Sequence, residues 1–159
     1  MSEILVASDG EWVRNQLRSV LASPDCKIRA VSTGARVLPA VRRRAPDLVI
    51  LDLQIGSMGG MAVCLDLRLE EGAGRLGHVK VMMLLDRRAD VFLARRSGAE
   101  GWLVRPLDPV RLRRATQSVL AGDNYYDESY KPTPVRVAAA GPPPVLSGPA
   151  SGSITSAGK

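Results

Sequence analysis

Apolar and polar positions alternate in blocks along this chain. Residues 4–7, 27–31, 48–53, 79–85 and 101–104 are short apolar runs bounded by turn residues, which is the pattern of strands buried in a sheet. Between them, apolar residues recur at three- and four-residue spacing, as on one face of a helix. Val13, Leu17, Val20 and Leu21 mark the first such face, and Val37, Leu38 and Val41 the second. Met61, Val63, Cys64, Leu67 and Leu69 mark the third, and Leu112, Ala115 and Val119 the last, which runs to about residue 121. A further helix runs from Asp90 through Arg96. Ser8-Asp9-Gly10 turns the first strand into its helix, Ser32 or Thr33 caps the second helix, and glycines 72, 74 and 77 end the third. Ser97-Gly98 ends the fourth, and Asp108-Pro109 is an N-cap and first-turn pair. Pro39 falls inside the second helix and would kink it if it lay beyond the first turn.

Five strands, each followed by a helix over a short connection, predict an α/β fold: a doubly wound, five-stranded parallel sheet with helices on both faces. The pattern stops near residue 126. Residues 131–159 hold six of the eleven prolines and no helical stripe, so the expected organisation is one domain over 1–122 and a disordered tail over 123–159. The tail is PPII-like around Pro142, Pro143 and Pro144 and too short and proline-rich for a helix-turn-helix output domain.

Composition changes this picture little. The 159 residues are 45% apolar and only 4% aromatic, so aliphatic side chains do the packing. Cys26 and Cys64 have no metal-ligand spacing and no partner cluster, and the lone His78 reads as a surface residue with no partner pattern. No apolar run is long enough to span a bilayer, and no basic leader precedes the first strand, so a cytoplasmic, reduced protein is expected. The net charge of +6 comes mostly from arginine, and Arg42, Arg43, Arg44, Arg95 and Arg96 sit where helix C-termini favour cations. Basicity alone is thus a poor argument for nucleic acid.

The chemistry-bearing positions follow the apolar runs. Asp9 follows strand one, Asp52 ends strand three and Arg105 follows strand five. With strand order 2-1-3-4-5, these ends converge on one crevice, where open α/β sheets bind ligands. Two carboxylates there need a cation between them; Arg105 supplies one charge, and a hard divalent ion such as Mg²⁺ suits the oxygen donors. An aspartate so placed can act as a nucleophile toward phosphorus. The alternative is a buried Asp52–Arg105 ion pair with no chemistry.

These residues resemble the receiver domain of bacterial two-component response regulators, over residues 2 to about 121. Ser8-Asp9 stands where that family carries an acidic pair, and Asp52 at the phosphoacceptor position, followed by Gly56, Met58 and Gly60 at the family's loop spacing. Residues 97–108, SGAEGWLVRPLD, are similar to the family's GA-x-x-Y-x-x-KP segment, with Trp102 at the aromatic position and Arg105-Pro106 at the Lys-Pro, whose peptide bond is usually cis. The resemblance implies the flavodoxin-like fold. It also implies phosphoryl transfer from a sensor histidine kinase or phosphotransfer protein to Asp52, and Mg²⁺ held by Asp9, Asp52 and the backbone carbonyl of Gln54. Such a protein is a stand-alone signalling module that works by protein–protein contact, not an enzyme.

Three departures bear on mechanism. Ser8 replaces an acid, which lowers the charge around the metal. Arg105 replaces lysine; its planar fork still pairs with carboxylate or phosphate. The family's hydroxyl residue after strand four is missing: loop length places Met83 there, strand-end matching Leu85, and neither donates a hydrogen bond. Losing such a bond removes roughly 1.5–3 kcal/mol of switching bias. Either Asp52 signals through another rearrangement, so that Trp102 does not report phosphorylation, or the domain is a phosphorylation-independent scaffold. The face of the fourth helix, fifth strand and fifth helix, with Arg95, Arg96, Arg111, Arg113 and Arg114, is the expected docking surface for an acidic partner or a second copy. Direct nucleic-acid binding rests on charge alone, and membrane association has no support.

Overall fold

The computed structural model of the chain describes residues 1–129. The strands are β1 (Ser2–Ala7), β2 (Cys26–Val31), β3 (Leu48–Asp52), β4 (Val81–Leu85), β5 (Gly101–Val104) and β6 (Tyr125–Tyr126). The helices are α1 (Glu11–Leu21), α2 (Val37–Arg43), α3 (Gly60–Gly72), α4 (Val91–Ser97) and α5 (Pro109–Leu120), with single 3₁₀ turns leading into α2 and α4. One parallel sheet runs β2-β1-β3-β4-β5-β6. The predicted order of the first five strands is therefore the observed one.

Every residue of β3 and β4 is buried, as expected of strands covered on both faces. Alternate side chains divide between two cores. Leu5, Val49, Leu51, Met83 and Leu85 pack beneath α2, α3 and α4 with Val41, Leu67 and Ala94. Ile4, Ile50, Met82, Leu84 and Leu103 pack beneath α1 and α5 with Leu17, Leu112 and Val119. At α5 the Asp108 carboxylate accepts from the backbone N–H groups of Val110 and Arg111, with Pro109 at the first helical position. Such a cap is worth about 1 kcal/mol. Pro39 is the third residue of α2, within the first turn, where its missing N–H breaks no helical bond and no kink is required.

Two expectations are corrected. The fourth strand begins at Val81 rather than 79, because the Val79 N–H is taken by the Glu71 side chain instead of a neighbouring strand. The ordered chain also continues past residue 122: β6 adds to the edge of β5, so residues 123–129 belong to the domain and not to a disordered tail. Composition hid this, because two tyrosines paired over two residues carry no periodic pattern. The rest of the expected tail lies outside the described residues.

Candidate functional site

The crevice forms at the C-terminal ends of β1, β3, β4 and β5. Ala7 lies opposite Leu51, Asp52 opposite Leu84, and Leu85 opposite Val104, so the first polar residues after each apolar run arrive together. Asp52 is 5% exposed. Its Oδ2 accepts from the Ser8 hydroxyl at 2.9 Å and from Arg105 Nη2 at 2.9 Å, and its Oδ1 accepts from the Gln54 N–H at 3.1 Å. Asp9 is exposed, and its Oδ2 accepts from the Gly56 N–H at 3.2 Å in the loop that follows Asp52. The two carboxylates thus flank one loop. A side chain at Gly60 would place Cβ 2.5 Å from the Asp52 carbonyl oxygen, and one at Gly34 would reach 1.9 Å from that of Met58. The loop is held close against β3 and the 3₁₀ turn before α2, and only glycine fits at either point.

Arg105, on which the sequence reading placed one carboxylate, holds two. Its Nε lies 2.8 Å from Asp86 Oδ1, in an ion pair whose N–H is not aimed at that oxygen. Its guanidinium also sits 5.4 Å from the centre of the Trp12 ring, a cation–π distance, and Trp12 is 65% exposed. Asp86 and Trp12 were missed from sequence. Asp86 obeys the rule that found Asp52 and Arg105, since it is the first polar residue after a buried strand; Trp12 carried no such signal.

Arg105 and the Gln54 N–H both meet Asp52, while Asp9 is joined to the site through Gly56 of the loop that follows. The donor set fits Mg²⁺: two carboxylates and a carbonyl are hard oxygen ligands, and this ion commonly keeps several waters beside one or two carboxylates. Met83 and Leu85 are both fully buried in the core that contains Trp102, and Leu85 is the last residue of β4. The Ser97 hydroxyl contacts Met83 Sδ at 3.7 Å, away from the crevice. Trp102 is 3% exposed and stacks on Tyr126, ring centres 4.3 Å apart.

The five arginines do not make one free face. Arg95 lies over Trp102 and Arg96 over Phe92. Arg111 is engaged by Ser129, Asp127 and the Pro106 carbonyl, while Arg113 donates to the Val20 carbonyl on the α1 side; Arg114 is exposed. At 100° per residue, positions 111, 113 and 114 of one helix cannot share a face. His78 is exposed as expected, yet it is not without partners: it bridges Glu71 and Glu100 at 3.1 and 2.9 Å. Cys26 and Cys64 are free thiols, and burial raises the pKa of each. No described helix is long and apolar enough to cross a membrane.

Comparison with known proteins agrees with the geometry. The model of the response regulator receiver domain matches residues 4–117. The DNA-binding response regulator MtrA of Mycobacterium tuberculosis is 34% identical over 111 residues, which are 69% of this chain and 46% of that protein. The chain therefore spans about half the length of the curated relatives it matches. Among solved structures, a LuxR-family two-component response regulator from Aurantimonas superposes with a TM-score of 0.71 at 22% identity, over 81% of this chain and 91% of the other. The receiver domain of a sensor histidine kinase from Pseudomonas aeruginosa, with magnesium coordinated in its active-site cleft, gives 0.66 at 20% identity over 76% and 98%. The matched model runs from Ile4 within β1 through β5 and takes in the crevice, and the chain belongs to the response regulator receiver domain family of two-component signal transduction.

Proposed function

We infer that Asp52 is the phosphoacceptor of this receiver domain. The observation that carries the reading is the buried Asp52 carboxylate, held by Ser8, Gln54 and Arg105 at the mouth of the sheet with Asp9 across the loop. A carboxylate oxygen of Asp52 attacks phosphorus on a phosphohistidine donor. The new O–P bond forms as the P–N bond breaks, and the departing imidazole takes up a proton. Asp9, Asp52 and the Gln54 carbonyl would hold Mg²⁺, which when bound neutralises charge on the transferring oxygens. Ser8 and Arg105 keep the carboxylate oriented; Arg105 then meets the phosphoryl oxygens with its fork. Receiver domains exchange phosphoryl groups with sensor histidine kinases or phosphotransfer proteins, and such a protein is the donor here. The domain is a phosphoryl acceptor rather than a turnover enzyme. It works in the cytoplasm, with output through protein contact at the α4–β5–α5 side, including self-association there. The relative MtrA is named as DNA-binding, but the present chain spans about half of it.

Met83 and Leu85 give the phosphoryl group no hydroxyl to recruit, so output takes another route than the usual hydroxyl–aromatic pair. The scaffold reading, in which Asp52 is never modified, has less support, since a purely structural site gains nothing from an exposed Asp9 and a half-exposed Asp86 beside a buried acid. Incubation with acetyl phosphate and Mg²⁺ tests the reading: a mass gain of one phosphoryl group, mapped to Asp52, is expected. Its absence, with a known receiver domain modified in parallel, would overturn it.

A further inference from the structure

The segment that sequence analysis assigned to a tail makes a concentrated set of contacts with the edge of the sheet. The Tyr125 N–H donates to the Glu100 carbonyl, and the Asp127 N–H to the Trp102 carbonyl at 3.2 Å. Asp127 is buried, and its Oδ2 accepts from the Val104 N–H at 2.9 Å. Arg111 reaches Ser129 Oγ at 2.6 Å and Asp127 at 3.4 Å, and also donates to the Pro106 carbonyl at 2.8 Å. Val104 and Pro106 flank Arg105, the residue that holds Asp52. The segment therefore holds Val104 through Asp127, and Arg111, which it also binds, holds Pro106, while Asp52 holds the intervening Arg105.

The grip is also incomplete. Among the described residues, the buried indole Nε1 of Trp102 meets no acceptor, and Arg111 Nε is likewise unpaired. An open pocket lined by Arg95, Ala99, Glu100, Trp102, Asn124 and Tyr126 lies against the stacked rings. Only two residues of β6 pair with β5. A two-residue strand beside an unsatisfied buried donor is weakly held, and such elements open locally at low free-energy cost.

We propose that residues 123–129 form a latch over the β5 edge, released when Asp52 is phosphorylated. The proposal rests on Asp52 being the phosphoacceptor. A phosphoryl group draws Arg105 from its present place between Asp52 and Asp86, and Val104 and Pro106 move with it. The Val104–Asp127 and Pro106–Arg111 bonds are then lost together. Release uncovers Trp102, the β5 edge and Arg111 on the side where receiver output was expected from sequence. The latch thus takes over the role of the missing hydroxyl.

The test uses the whole chain, with amide exchange followed at Val104, Tyr125 and Asp127 by NMR and phosphorylation by intact mass. Acetyl phosphate with Mg²⁺ should speed exchange at all three about tenfold, with Ile50 unchanged. A phosphoryl gain with unaltered exchange at the three amides would overturn the latch. Without any phosphoryl gain the phosphoacceptor reading fails, and Asp52→Asn then decides the latch separately, since it loosens Arg105 without phosphate. Exchange altered about threefold or more at those amides supports the coupling, and unaltered exchange refutes it. Tyr126→Ala, at an exposed position, should tighten beryllium fluoride binding severalfold in the presence of Mg²⁺, by reciprocity of coupled equilibria. Unchanged binding also refutes the coupling.

Discussion

Arg68 and Arg105 both pair with two carboxylates, but at opposite ends of the parallel strands, and the two clusters are built differently. At the N-terminal ends, Arg68 holds Glu71 at 2.8 Å and Glu100 at 2.9 Å and also donates to the Val79 and Gly98 carbonyls. Its carboxylates are filled in turn: Glu71 accepts from the Val79 N–H and Glu100 from the Val81 N–H. These acids do the work of strand and loop partners for backbone groups that the sheet leaves over. At the C-terminal ends, Asp9 accepts one backbone bond, the Asp86 side chain is 44% exposed, and one guanidinium faces both Asp52 and Asp86. Acidic charge there exceeds what the nearby arginine balances. A cluster that closes backbone bonds is structural; one left with surplus charge and open oxygens is arranged for a ligand.

The sharpest division is Asp52→Asn against Glu100→Gln. The first should abolish phosphoryl incorporation measured by intact mass, and the second should leave it intact. Incorporation surviving in Asp52→Asn would place the acceptor elsewhere. Stability should show the reverse order. Arg68→Ala removes several charge-assisted bonds at once and should lower unfolding stability in urea by about 3 kcal/mol. Asp52→Asn should change it by less than about 1 kcal/mol, or raise it, because it relieves carboxylate repulsion. Equal losses would erase the distinction drawn here. Next in size, Gly60→Ala should cost about 2 kcal/mol, since the added methyl meets backbone at 2.5 Å, and the urea midpoint reports it.

A third carboxylate cluster gives a smaller, pH-dependent effect. Hydrogen bonds from Arg75 and then Arg42 lower the Glu70 pKa to about 2. A depressed acid contributes stability that is fully present above its unfolded value near ~4.3 and is lost as pH falls toward about 2. Denaturation from pH 5 to 2 should therefore show a decline that Glu70→Gln reduces. Asp127 follows the same sign: burial works to raise its pKa, but bonds from Ser129 and Val104 and the charge of Arg111 outweigh it and lower it. The smallest effect is expected for Arg96→Ala, within about 0.5 kcal/mol, because Arg96 rests over the exposed Phe92 ring.

Much of this was legible in the sequence, for identifiable reasons. Strands such as 48–52 and 81–85 are read from unbroken apolar runs, because burial on both faces admits no polar residue. Asp52, Asp9 and Arg105 were found because each is the first charged residue at the end of such a run. What escaped depends on tertiary contact. Tyr125 and Tyr126 pair with β5 only once β5 presents its edge, and no local spacing announces that. The split of the arginine face was hidden because a list of charges says nothing of which carbonyl or carboxylate each one meets. His78 illustrates the same gap, since Glu71 is near it in sequence but Glu100 is not.

The sixth strand has a practical consequence for any shortened form of this protein. Cutting after the last turn of α5, where most readers of the sequence would place the boundary, strips β5 of its neighbour and bares a row of backbone donors and acceptors beside a large indole. Such a border invites pairing between molecules. A fragment ending at 122 should therefore self-associate without phosphorylation, because it permanently bares the edge that β6 pairs with.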